Sequence, residues 1–296
     1  MRGAQGDAAP AFNDQNSQEN NLTAAIPQLT TIAIELNEGV AEIRLNRPER
    51  SNAINEAMWR ELRTAFAWAD ATPEVRVAIL SGAGRNFCAG IDLAMLAGVG
   101  RTVAHADPAR SHEALRRVIL ELQDCLTSVE RCRKPVLAAI QGGCIGGAID
   151  LVTCCDMRYA AADVQFSVRE IDVGMTADVG TLQRLPRLVA DGIAREMAYT
   201  GRAVDGFEAK LIGLVNQIFE TPEILLEGVL QIARTIAAKS PLAIRGTKEM
   251  LNYGRDHSVA DGLNQVATWN AAMLMSADLE EAMAAMRDKR PPRFCD

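Results

Sequence analysis

Asp150, Glu170 and Asp178 are carboxyl groups set among Val, Ile, Met and Gly, with the last two in "FSVREIDVGMTADVGTLQRLP" (166–186). Acids in apolar surroundings are costly unless paired or neutralised. Desolvation raises their pKa toward values useful for proton transfer. Upstream, two glycine-bearing turns, "SGAGRNFCAGIDL" and "QGGCIGGAIDL", each follow a short apolar run. Neither fits a dinucleotide fingerprint or a phosphate loop, because the Gly spacing is wrong and no Gly-Lys-Ser/Thr occurs. Gly in such turns allows close backbone approach to a ligand, and a helix opening after the second turn leaves N–H groups unpaired. Two convergent N–H donors beside two or three acids describe enolate chemistry: a base removes a proton next to a carbonyl while the donors hold the oxyanion. Acid–base participation contributes about 10²–10⁴ in rate, and each oxyanion donor roughly 3–4 kcal/mol.

The elements that must position these groups read as strands alternating with helices. "TIAIELNEGVAEIRLN" is a hairpin pattern, "NEAMWRELRTAFAWADA" has helical spacing, and "VRVAILSG" is a strand buried on both faces. The helical "SHEALRRVILELQDCLTSVERC", the strand "VLAAIQG", a helix across "CIGGAIDLVTCC", and the strands "DMRYAA" and "VQFSV" follow. This order predicts an α/β fold with crossover connections. On a helix opening at Gly147, Asp150 sits one turn in. Beyond Leu182 the pattern is of amphipathic helices with one short strand candidate, "LVNQIFE". The division predicted is a leader over 1–28, a catalytic core over 29–220 and a helical region over 221–296, whose apolar faces suit an oligomer interface.

A net charge of −7 with 4% aromatic residues gives neither a basic surface nor a stacking platform for nucleic acid. No apolar run approaches the ~18 residues of a membrane span, and the first residues lack a signal-peptide pattern. Seven cysteines without a Cys-x-x-Cys pair suggest neither a zinc site nor a disulfide framework. The expectation is therefore a reduced, cytoplasmic protein binding neither membrane nor metal. His105, His112 and His257 read as surface residues. Asp172 and Asp156 read as structural, and Asp92 as a turn-bonding residue beside the first glycine turn.

The segments "LNRPERSNAIN" (45–55), "GAGRNFCAGIDL" (82–93), "KPVLAAIQGGCIGGAIDLVTCCDMRYAAADVQFSVRE" (134–170) and "GTLQRLPRLV" (180–189) resemble the crotonase, or enoyl-CoA hydratase/isomerase, superfamily. The resemblance spans about residues 30–294 and implies a spiral of β-β-α units with a C-terminal helical trimerisation region. It further implies trimers or pairs of trimers, and a coenzyme A thioester as substrate, with no separate cofactor. By position it implies backbone donors at Ile91 and Gly147. Coenzyme A contacts fall at Arg50, in the Phe87–Leu93 loop (Phe87, Ala89, Asp92, Leu93), at Gly146 and at Lys289. Hydratases of the family carry glutamates at the positions of Asp150 and Glu170 and Gly at that of Asp178. The three acids here resemble the Δ3,5-Δ2,4-dienoyl-CoA isomerases instead, whose substrate loses a proton at C2 and gains one at C6 in unsaturated fatty-acid β-oxidation. Glu170 then serves C2 and Asp178 C6, with Asp150 tuning their charge or helping to hold the dienolate. A 2-enoyl-CoA hydratase and an inactive acyl-CoA-binding protein are the alternatives.

Overall fold

The computed structural model describes residues 25–296, so the predicted leader lies outside the described residues except for its last four positions. The hairpin forms as predicted, with strands β1 (Ile32–Asn37) and β2 (Val40–Leu45). Helix α1 (Glu56–Ala71) is capped by Asn55, whose side chain accepts from the Met58 N–H. Strand β3 (Val77–Gly82) lies parallel to β2. Helices α2 (Leu93–Thr102) and α3 (Pro108–Arg131) lead to strand β4 (Val136–Ile140).

Two successive turns of chain then share one plan. Strand β4 enters a large sheet, while β5 (Gly143–Ile145) enters a small one and is followed by helix α4 (Gly147–Thr153). Strand β6 (Met157–Ala161) again joins the large sheet and β7 (Gln165–Ser167) the small one. After β7 come α5 (Thr181–Arg184), α6 (Asp191–Thr200), β8 (Val204–Asp205), α7 (Gly206–Leu211) and β9 (Gln217–Phe219). The large sheet has the order β1-β2-β3-β4-β6-β9, parallel except at β1, and the small one β5-β7-β8. This is the predicted spiral of β-β-α units.

Successive residues of a strand face opposite sides of its sheet, and here both sides are covered. Ala78 and Leu80 of β3 join the main core with Leu62 and Phe66 of α1 and Leu126 of α3. Val77 and Ile79 face the other way, against Leu225, Val229 and Ala233 of α8 (Pro222–Ala237). Helix α8 thereby closes one face of the core sheet. Beyond it, α9 (Pro241–Tyr253) crosses α10 (Val259–Met273) closely, since a methyl group on Gly246 would sit 2.5 Å from Trp269 Nε1. Helix α11 (Ala277–Asp288) completes the chain's regular structure.

One local prediction is corrected and one helix was not foreseen. "CIGGAIDLVTCC" is not one helix: Gly143–Ile145 pairs with β7, and the turn at Gly146 (φ 55°) starts the helix only at Gly147. The unforeseen helix is α2, absent from the sequence reading because Gly98 and Gly100 weaken its helical pattern.

Candidate active site

The first glycine turn is fastened on both sides. Cys88 N–H donates to Gly143 O (3.0 Å) and Ile145 N–H donates to Cys88 O (3.1 Å), joining the loop to β5. On the other side Ala89 N–H donates to Ser51 O (2.9 Å), Ile54 N–H to Gly90 O (2.7 Å) and Asp92 N–H to Ile54 O (3.0 Å). Ile91 N–H, between them, has no acceptor among the described residues.

Gly146 N–H donates to Ser167 O (2.9 Å), which sets the corner before α4, and Gly147 N–H is the orphan first donor of that helix. A methyl group built on Gly147 lies 3.5 Å from Ile91 N, and one built on Gly90 lies 3.2 Å from Gly147 N and 2.5 Å from Ile145 O. The two unpaired N–H groups are therefore neighbours, and their spacing depends on Gly90, with φ +87°, and Gly147 having no side chains.

Of the three acids, Glu170 has its carboxyl against this corner. A methyl group on Gly146 would lie 3.4 Å from Glu170 Oε1, so the Glu170 carboxyl rests over the corner that presents Gly147. Glu170 begins a 3₁₀ turn ending at Gly174, and its Oε2 is buried without a hydrogen-bond partner. Burial first, then the neighbouring Asp150 carboxylate, with Asp178 adding a smaller share, push its pKa up to about 7. Asp150 is 0% exposed; its Oδ1 accepts from Thr181 N–H (2.5 Å), while Oδ2 has no partner. Its pKa is pushed up by burial, and Asp178 adds to the rise. Asp178 is half-buried, and burial raises its pKa too. Burial thus raises the pKa of all three carboxyls, and the charge of Asp178 adds to the rise at both Asp150 and Glu170.

The remaining predicted positions fall in different settings. Ala89 and Leu93 are exposed on the loop and at the first turn of α2, and Arg50 is exposed at the end of a 3₁₀ turn. Asp92 caps α2 through Ala94 N–H (3.0 Å) and pairs with Arg47 (3.2 Å). Burial works to raise the Asp92 pKa, yet the Ala94 N–H and Arg47 together hold it low. Phe87 is 0% exposed, so its ring belongs to the core and only its backbone faces the loop. Lys289 is the exposed, left-handed cap of α11 and contacts none of the three acids. Asp172 pairs with Arg169 (2.7 Å) and Asp156 with Lys248 (2.7 Å), and all three histidines are exposed.

Sequence reasoning missed the residues that hold the loops. Asn52 is 0% exposed; its Nδ2 donates to the carbonyls of Ala83, Asn86 and Phe87, and its Oδ1 accepts from Arg47 N–H. Asn86 Oδ1 accepts from Gly143 N–H (2.9 Å). Gln123 of α3 donates to Asp178 O (2.6 Å). A cavity of 460 Å³ behind Asp178 is lined by Gln123, Val179, Gly180 and the Glu130–Arg184 pair, among others. A second, of 590 Å³ between α1, α2 and α3, is bordered by Asp92, Met95, Trp59 and Leu122. Among the described residues no helix is long and apolar enough to cross a membrane.

The enoyl-CoA hydratase/isomerase family model matches residues 35–296. The peroxisomal Delta(3,5)-Delta(2,4)-dienoyl-CoA isomerase of Arabidopsis thaliana is 47% identical over 267 residues, covering 90% of this chain and 96% of that protein. The human mitochondrial enzyme of the same name is 44% identical over 252 residues, covering 85% and 77%. Among solved structures, an enoyl-CoA hydratase from Bacillus anthracis superposes with a TM-score of 0.82 at 31% identity, covering 90% of this chain and 99% of that one.

Proposed function

Because the chain belongs to the enoyl-CoA hydratase/isomerase family, we propose that it converts 3,5-dienoyl-CoA to 2,4-dienoyl-CoA by removing a proton at C2 and adding another at C6. The observation that carries this reading is Asp178, a third acid whose charge raises the pKa of both Glu170 and Asp150. The thioester oxygen accepts from Ile91 and Gly147 N–H. Glu170, lying over Gly146, takes the C2 proton, and charge spreads from the oxygen through the diene to C6. Asp178, entering in its acid form, delivers a proton there. Glu170 leaves protonated and Asp178 ionised, and exchange with solvent resets both. The substrate's oxidation level does not change, so the balance needs no redox cofactor, and coenzyme A is part of the substrate.

A pKa near 7 leaves Glu170 able to act as base and then release its proton at neutral pH. Asp150 has its Oδ1 fixed by Thr181 N–H, so its role is to set the charge of the other two. Arg50, Ala89, Leu93 and Lys289, all exposed, are assigned to the coenzyme A portion. Asp92 and the backbone at Phe87 and Gly146 shape the loop that borders it.

Val259 and Leu263 on α10, and Met283 and Met286 on α11, are exposed, as is Met275 between them at 88%. Such a surface supports a homotrimer or a pair of trimers. The relatives are named peroxisomal and mitochondrial. Six buried unpaired cysteines suit any reducing compartment, the cytoplasm included, and cell fractionation decides among them.

The test is spectrophotometric. Pure protein is given a 3,5-dienoyl-CoA and, separately, crotonyl-CoA; appearance of the conjugated dienoyl chromophore is the expected result. Rapid crotonyl-CoA hydration without diene formation would instead mark a hydratase, and binding without turnover of either an inactive acyl-CoA-binding protein.

A further inference from the structure

Asp178 stands on a backbone that has almost nothing to hold it. Thr176–Val179 has no regular structure, and among the described residues its backbone makes one hydrogen bond outside Asp178 itself, from Gln123 Nε2 to Asp178 O at 2.6 Å. The donor sits on α3, a 24-residue helix whose Leu126 and Val129 are in the core.

The same face of α3 holds the far end of the segment. Positions 123, 127 and 130 follow helical spacing. Thr127 Oγ1 donates to Gln123 O (2.7 Å) and accepts from Arg184 Nη2 (3.3 Å). Glu130 accepts from Arg184 Nη2 (2.8 Å) and Nε (3.2 Å), and also pairs with Arg255. The Arg184 guanidinium lies over Gly180, where a methyl group would meet Nη1 at 2.0 Å. One residue on, Thr181 N–H grips Asp150. Glu170 is held independently of α3, by its 3₁₀ turn and by Met175 N–H donating to Glu170 O (2.9 Å).

We infer that Gln123 is a positioning residue for Asp178: its amide fixes the Asp178 backbone, and so sets delivery of the proton to the distal carbon separately from abstraction at C2. The inference rests on the isomerase reading above. Gln123 touches a carbonyl and not the carboxyl, so its removal shifts the acid without discharging it. A misplacement of ~1 Å at a reacting group costs on the order of 10²-fold.

The experiment compares two rates in D₂O for the wild type, Gln123→Met and Gln123→Asn. Deuterium entering C2 of recovered 3,5-dienoyl-CoA reports abstraction by Glu170. Formation of the 2,4-dienoyl chromophore reports completion through Asp178. For Gln123→Met the expected result is isomerisation down ~10–100-fold, C2 exchange within about twofold of wild type, and KM unchanged. Gln123→Asn, which keeps a donor one methylene short, is expected to fall between. If exchange and isomerisation drop by the same factor, Gln123 serves the fold alone and the inference is overturned; unchanged rates overturn it as well. Thermal melting accompanies both variants, and if Gln123→Met melts below the assay temperature the ratio for Gln123→Asn decides. A wild-type protein that forms no diene removes the isomerase reading and this inference with it. Equal losses beside an active wild type remove the inference only.

Discussion

Gly90→Ala tests whether the two unpaired N–H groups hold the oxyanion. A methyl group at this position meets Ile145 O at 2.5 Å, where ordinary contact begins near 3.4 Å, so the Gly90–Ile91 backbone must retreat by the difference, about 0.9 Å. The retreat carries Ile91 N–H away from Gly147 N–H. Loss of one such donor costs ~10²–10³ in kcat, the same range as an ~1 Å misplacement. The left-handed φ of +87° adds a backbone cost of ~1–2 kcal/mol for a residue with a Cβ. At ~2–4 °C per kcal/mol, that strain lowers the melting temperature by several degrees. The assay is diene formation for kcat and KM, with calorimetric titration of a non-reacting acyl-CoA for binding. Gly192→Ala is the control, since it has open space around it and an ordinary backbone. The expected result is a Gly90→Ala enzyme that binds acyl-CoA and turns over at least about 100-fold more slowly. A kcat within threefold of wild type, with the melting temperature lowered, would refute the assignment of Ile91 and Gly147.

Glu170→Gln removes the base and is expected to slow diene formation by ~10²–10⁴. In the wild type, kcat/KM should decline tenfold per unit as pH falls below about 7, where Glu170 becomes protonated. Its folded pKa lies above the ordinary 4.5, so the folded state keeps a proton that the unfolded state releases. The stability Glu170 contributes is thus complete below 4.5 and lost as pH rises through about 7. Glu170→Gln should therefore match the wild type in unfolding free energy near pH 4.5 and exceed it at pH 8, by about 1–2 kcal/mol once screening at a half-buried group is allowed for; a gain larger at acid pH contradicts the linkage. Asn52→Ala strips the donors from three loop carbonyls and is expected to cost about 1–3 kcal/mol for each carbonyl left buried and unpaired. A urea midpoint equal to wild type would show that the loops are held by something else.

The elements legible in the sequence are those whose pattern is local. The run 77–82 reads as a strand covered on both faces, and alternate residues do divide between two cores. Strand β5 was hidden because three residues including a glycine carry no alternation, and its partner Gln165–Ser167 lies more than twenty positions away. Helix α2 was readable only from its Asp92 cap, since two glycines weaken its pattern. In the site, the acids stand out as charge among apolar residues, and the free N–H of Gly147 follows from a helix opening there. That Ile91 N–H is free required the pairing on both sides of it. Asn52 and Gln123 act on carbonyls 31–35 and 55 positions away, and nothing in their own neighbourhoods announces those partners.

The most direct test of the two-acid path is the origin of the proton at C6. Turnover of 3,5-dienoyl-CoA in D₂O, with the product analysed by NMR, should place solvent deuterium at C6 in the wild type, because Asp178 draws its proton from water. Asp178→Asn should abolish diene formation. Transfer of the substrate's own C2 hydrogen to C6, or an Asp178→Asn rate near wild type, would contradict the account.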